Sequence, residues 1–226
     1  MEIRHLHPWD VPFEKAIEIQ KRLRRLLTLS PLPGAVTHVA GLDVAFSKTS
    51  GHMWGGAVIL TFPELVKKEE IRVKAKMRFP YIPGLLSFRE IPVLLEVIMR
   101  LKIDPDIFLC DGQGTAHPRG LGLASHLGLW IDRPTIGCAK TALVGAFPAV
   151  GDRKGDWVYL HHHGRVVGAV LRTRAKVKPV FVSPGNRITL SESVNIVLRC
   201  CLKWRIPEPI RQAHLLVNTA RREENS

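Results

Sequence analysis

The chain has 226 residues, 33 of them basic and 20 acidic, so its formal charge is +13 with histidines neutral and its pI is about 10.1. With 46% apolar and 23% charged residues it can bury a core of its own, which excludes a disordered tail or a membrane-embedded chain. No apolar run nears the roughly 20 residues that cross a bilayer, the start lacks a signal-peptide layout, and the cysteines show no C-x-x-C spacing.

Residues 12–29 carry the period of an amphipathic helix, with Phe13, Ala16, Ile17, Gln20, Leu23 and Leu27 on one face. The Pro- and Gly-rich stretch 30–34 stops it. Extended runs at about 36–46, 54–62 and 70–79, separated by short breaks, predict a β-meander. Pro80-Tyr-Ile-Pro-Gly84 is a rigid turn that forbids helix, and a helix is expected over about 88–102, with Phe88, Ile91, Leu94, Leu95, Ile98 and Leu101 apolar. Strands and helices then alternate. A strand is expected at 106–110, a helix at 120–130 and a strand at 135–138. Two or three strands follow within 157–183 around a turn at 161–164, then helices at about 190–203 and 208–222. An antiparallel meander followed by alternation gives an α/β fold, a mixed sheet with helices on both faces. No linker or repeat divides the chain, so one domain is expected over 1–226.

A charge of +13 asks for a polyanion, whether DNA, RNA or an acidic membrane surface, unless it serves solubility alone. Lys21, Arg22, Arg24 and Arg25 form one basic block; Arg172, Arg174, Lys176 and Lys178 form another. The second alternates as a strand would, which predicts four cations on one face toward a phosphate backbone. The cysteine usage fits a reducing cytosol.

Asp43 lies in the apolar run 39–46, where an ionised carboxylate is expensive unless it is paired or binds a metal. Asp111 ends an apolar strand, where sites form in open α/β sheets, although a turn aspartate can cap its own backbone. Ser87-Phe-Arg-Glu90 fits a helix capping box, weakened by Pro92 at what would be the fifth helical position. Lys140 ends the next strand, and Arg211, His214 and Asn218 make a polar stripe on the last helix. The run His161-His-His163 reads as a solvated turn. His117 stands where a dinucleotide fingerprint needs its third glycine, and no phosphate loop is present, so a nucleotide-cofactor site is excluded.

Several runs resemble the endonuclease V family: Gly41-Leu-Asp-Val-Ala-Phe-Ser47, Pro80-Tyr-Ile-Pro-Gly-Leu-Leu-Ser-Phe-Arg-Glu90 and Asp111-Gly-Gln-Gly-Thr-Ala-His-Pro-Arg119. Thr135-Ile-Gly-Cys-Ala-Lys140, Val182-Ser-Pro-Gly185 and Arg211-Gln-Ala-His214 do so too, in order, over about residues 12–220. The resemblance implies a ribonuclease H-like fold and Mg²⁺-dependent nicking, with Mn²⁺ as substitute, of DNA that contains inosine, with RNA as an open alternative. The cut falls at the second phosphodiester bond 3′ to the lesion and leaves 3′-hydroxyl and 5′-phosphate ends, in repair of deaminated bases. Asp43, Asp111 and Glu90 are implied as metal carboxylates, and Lys140 and His214 as the remaining catalytic groups.

Tyr81 is implied as a wedge that fills the gap left by the flipped base, with Pro80, Ile82, Pro83, Gly84 and Leu86 beside it on the nucleic acid. Gly84, Gly112 and Gly137 would let backbone approach that base, and Arg172 and Arg174 would meet phosphates. Asn186 departs from the family, where a histidine is common. A monomeric cytoplasmic enzyme with no membrane partner is expected. The alternatives are a non-catalytic basic binding module and a structure-specific nuclease of the same fold.

Overall fold

The three extended runs pair as the expected meander: β1 (His38–Phe46) lies antiparallel to β2 (His52–Thr61), and β2 to β3 (Lys67–Lys76). The structure, a computed structural model, describes residues 2–47 and 49–224. Across β1 the sheet continues in parallel through β4 (Ile107–Cys110) and β5 (Thr135–Ala139). The helices α2 (Leu86–Ile98) and α3 (Leu123–Ile131) carry those crossovers. β4 and β5 are buried at every position, which is why they read as unbroken apolar runs.

Strand–helix alternation stops at β5, and the strands expected around the turn at 161–164 follow it. β6 (Trp157–His162), β7 (Arg165–Leu171) and β8 (Val180–Asn186) form a second antiparallel group, and β8 closes antiparallel on β5. The sheet order is therefore β3-β2-β1-β4-β5-β8-β7-β6. The cause is local: β6 and β7 join through His163 (φ 48°) and Gly164 (φ 70°), and two consecutive positive φ angles make the tight turn that suits a twisted hairpin.

Two further helices, α4 (Leu190–Arg199) and α5 (Glu208–Glu224), complete the ribonuclease H-like arrangement. On one face Ile210 and Ala213 of α5 join Val39, Val58 and Leu109. On the other, Ile91, Leu94 and Leu127 pack against Ala40, Leu42 and Phe108. α5 lies unusually close to the sheet. A Cβ on Gly41 would stand 2.0 Å from the Pro209 backbone, and one on Gly56 2.5 Å from Val217, so glycine is required at both.

The first helix, α1 (Phe13–Leu23), is shorter than expected and turned on its axis. Ala16, Ile19, Gln20 and Leu23 are buried while Phe13 is 47% exposed. α1 packs on Phe79, Leu85, Phe88 and Leu129 rather than on the sheet, so only a narrow strip is covered. α2 starts at Leu86, two residues before the expected place, and runs through Pro92 because nine of its side chains are buried. Among the described residues no helix is long and apolar enough to cross a membrane.

Candidate active site

The parallel register of β1 and β4 pairs Leu42 with Cys110, which sets Asp43 beside Asp111 just past the paired stretch. The close seat of α5 on Gly41 and Gly56 brings His214 over the same point, and its Nδ1 donates to Asp43 Oδ2 at 2.7 Å. Ligand atoms of Asp43, Asp111 and His214 all lie within 4.8 Å of one another. Lys140, just beyond β5, donates from Nζ to Asp111 Oδ2 at 2.5 Å. Glu90 comes from α2 on the other face and is 7% exposed.

The electrostatics are those of crowded carboxylates. Burial, then the charges of Asp43 and Asp111, push the Glu90 carboxyl well above its ordinary range. Burial and Asp43 raise Asp111 too, against the pull of Lys140. The hydrogen bond to Asp43 raises His214 and so favours the imidazolium. Asp43 and Asp111 thus share one lysine and one imidazole, and the charge of Arg89 beside Glu90 does not offset the rise in that carboxyl. The hard oxygens of the three carboxyl groups fit Mg²⁺ or Mn²⁺, which would supply the missing positive charge.

The expected capping box at Ser87 does not form. Leu85 occupies the cap position of α2, and Ser87 Oγ donates instead to His126 Nδ1 at 2.9 Å. Among the described residues the Glu90 carboxyl makes no hydrogen bond or ion pair, so capping does not account for it. The polar stripe on α5 is also only partly real. Asn218 Nδ2 donates to the His214 carbonyl at 2.8 Å, whereas Arg211 turns to Glu208 at 2.6 Å.

Beside the carboxylate cleft, and sharing Tyr81 and Leu86 with it, lies a cavity of about 210 Å³. Gly84, Gly112, Gln113 and Leu143 also line it. Tyr81 is 68% exposed at the divide, while Ile82 packs into the core and anchors the exposed Pro80 and Pro83. Gly84 needs its glycine, with φ at 77°, but its carbonyl is fully engaged. Gln20 Nε2 at 3.0 Å, His117 Nε2 at 3.0 Å and Arg119 Nη2 at 2.6 Å all donate to it. Gly137 is not a lining residue. A Cβ there would stand 2.3 Å from Gly114 N, so this glycine lets β5 back the 112–114 loop.

Sequence reasoning missed this clamp. Its one signal was Gln20, the single polar residue on the apolar face of α1. Gln113, read only as part of the run 111–119, has a place of its own. Its Nε2 donates to the Thr141 carbonyl at 3.0 Å, and its buried Oε1 has no partner among the described residues.

The second basic block is not a strand. β7 ends at Leu171, and residues 172–179 turn back toward β8 at the end of the sheet that carries Lys140. The Arg172 side chain is 12% exposed and donates to the carbonyls of Val150, Gly151 and Val177, so it ties loops together and is not presented to a phosphate. Arg174 is exposed. Asn186 is a buried tether: Oδ1 accepts from Thr28 N at 3.1 Å and Nδ2 donates to the Gly128 carbonyl at 3.1 Å.

The family model described as Endonuclease V matches residues 20–215. An endonuclease V of Trichormus variabilis is 46% identical over 219 residues, which cover 96% of this chain and 99% of that protein. The crystal structure of endonuclease V from Streptomyces avermitilis superposes with a TM-score of 0.92 at 38% identity, with full coverage of both chains. A Ciona intestinalis endonuclease V, in complex with a 24mer DNA containing an inosine followed by a ribo-adenosine, gives 0.85 at 30% identity, covering 93% of this chain and 98% of that one.

Proposed function

The chain belongs to the endonuclease V family, and from that premise we propose that it is a metal-dependent endonuclease acting on inosine-containing DNA. It cuts the second phosphodiester bond 3′ to the inosine, leaves 3′-hydroxyl and 5′-phosphate ends, and serves the repair of deaminated bases. One observation carries this reading: the small cavity and the carboxylate cleft adjoin and share Tyr81 and Leu86, so a base held in one sets a neighbouring stretch of its strand across the other. The Ciona relative's complex with inosine DNA supports the substrate class.

Asp43, Asp111 and Glu90 would hold Mg²⁺, with Mn²⁺ as substitute. When bound, the ion neutralises the phosphate, acidifies a water and stabilises the leaving oxygen. Lys140, released from Asp111, meets negative charge growing on the phosphate. Asp43 fixes His214 through Nδ1, and the imidazole exchanges a proton with water or the leaving group. Glu90 and Asp111 must shed their protons to take the ion, so metal affinity rises with pH.

Extruding a base costs a few kcal/mol, and Tyr81 stacked into the gap offsets part of it. Hypoxanthine carries a 6-oxygen and an N1–H and lacks the 2-amino group of guanine. The site is complete within one chain, which supports a monomer, and the buried free thiols of Cys110, Cys138, Cys200 and Cys201 suit a reducing cytosol.

The test is nicking of duplexes that differ only in inosine or adenine, with and without Mg²⁺. Inosine- and metal-dependent nicking at the stated bond is the expected result. Nicking indifferent to inosine would leave a structure-specific nuclease, and binding without nicking a non-catalytic module. The same assay with an inosine-containing RNA decides between the two nucleic acids.

A further inference from the structure

Across His117 from the small cavity lies a second groove of about 560 Å³ that the proposed chemistry does not use. Arg24, Leu27, His162, His163 and Arg165 line it, and no carboxylate does among the described residues. Arg24 and Arg165 are exposed, and neither side chain forms an ion pair among the described residues. Arg24 lies over Gly120, where a Cβ would stand 2.6 Å from its Nε. The tight turn after β6 holds the His162 and His163 rings 4.0 Å apart at the groove edge. Its floor is rigid and continuous with the site loop, because Thr115 Oγ1 donates to the Val167 carbonyl at 2.8 Å and Thr115 N to that of Pro184 at 2.9 Å.

Unpaired guanidinium groups, flat rings and apolar walls are what a single nucleic-acid strand needs, since cations follow its phosphates and rings stack on its bases. The order of the three hollows gives the strand a path. The carboxylate cleft, the small cavity and the basic groove follow one another, joined by Tyr81 and Leu86 at one boundary and by His117 at the other. We infer that this groove binds the strand on the 5′ side of the inosine. The direction rests on the proposed function, because the cut 3′ to the inosine assigns the 3′ side to the carboxylates.

Single strands carrying one inosine, with 5′ or 3′ flanks shortened in steps from about six nucleotides, test this with metal-free protein by fluorescence anisotropy. The Arg24→Ala/Arg165→Ala variant should bind the strand with the long 5′ flank about tenfold more weakly. Its log–log salt slope should shrink by about 1.4, at about 0.7 per cation on single strands. The gap should close as the 5′ flank shortens and ignore the 3′ flank. The Arg→Lys pair, which keeps the charge, should retain the wild-type slope. A gap that follows the 3′ flank, or one independent of both, overturns the inference. Wild-type protein that binds inosine and adenine strands alike would count against the proposed function, whereas inosine preference without a 5′-flank effect would count against the groove alone.

Discussion

Two buried titratable clusters flank Tyr81, and they settle their charge in opposite ways. On the clamp side every histidine nitrogen has a partner in the neutral ring. His7 Nδ1 donates to the Pro8 carbonyl at 2.8 Å, and its Nε2 accepts from His126 Nε2 at 2.7 Å and Trp130 Nε1 at 3.2 Å. His126 Nδ1 accepts from Ser87, and His117 spans the Gly84 carbonyl and Arg119 N. Burial lowers the pKa of all three histidines, and nothing in the cluster asks for a further ligand. On the cleft side burial and mutual repulsion raise Glu90 and Asp111, and neither Arg89 beside Glu90 nor Lys140 on Asp111 cancels the rise. A closed list of partners marks a structural cluster; an open charge account marks a site.

The sharpest break of that contrast is to remove a carboxylate. Asp43→Ala or Asp111→Ala should lower the nicking rate by about a thousandfold or more, since both the ion and the groups it orients are lost. Metal-free binding to inosine DNA should persist or tighten, because negative charge leaves the site. Nicking that survives at more than a few per cent of wild type in either variant would remove that residue from the metal set. Glu90→Gln should also abolish nicking, and with no capping role in α2 it should do so without weakening the fold.

Much of the cleft was legible in the sequence, because charged residues in apolar runs stand out. Asp43 inside a strand and Asp111 at a strand end both reach the cleft, and parallel register, which sequence does not display, is what joins them. The clamp was nearly invisible. Its residues and those of the histidine cluster beside it are scattered over positions 7, 20, 117, 119 and 126, and only Gln20 broke a pattern. The strands on either side of the turn at 161–164 were legible too, but the antiparallel closure of β8 on β5 was not, because a run of apolar residues does not reveal its direction. Arg172 was misjudged because alternating cations resemble a strand face whether they point to solvent or, as here, one of them folds inward onto carbonyls.

The two clusters should also oppose each other in pH dependence. A neutral histidine held below its ordinary value takes no proton in the folded state while the unfolded chain does. The clamp is therefore fully stabilising above about pH 6.5, and His117 loses its share as the pH falls toward about 4. That difference corresponds to about 3 kcal/mol, or roughly 6–12 °C in melting temperature at this chain length. In metal-free protein Glu90 and Asp111, raised instead, hold protons that the unfolded chain has released, so their share fades as the pH rises. His117→Gln should flatten the acid side of the melting-temperature profile, and Glu90→Gln should lift the neutral side. Profiles parallel to wild type in both variants would show that neither cluster couples to folding as described.

Tyr81 separates the clusters and draws on both: its loop hangs from the clamped Gly84 carbonyl, and its ring lies 6.0 Å from the Arg89 guanidinium beside the cleft. If its work is to fill the gap left by an extruded base, it matters only where a stack has been opened. A stacked aromatic is worth about 1–3 kcal/mol per base, so Tyr81→Ala should weaken metal-free binding to an inosine duplex by about ten- to a hundredfold. An inosine already in a single strand needs little unstacking, and there the loss should be far smaller. Tyr81→Phe keeps the ring and should restore most of the duplex affinity, which separates stacking from any hydroxyl contact. His117→Gln adds the link to the clamp: if it loosens the Gly84 anchor, its losses should follow the same duplex-over-single-strand pattern at smaller size. Equal losses on duplex and single strand for Tyr81→Ala would instead make the ring an ordinary contact and leave the base gap to the apolar Leu86 at the same divide.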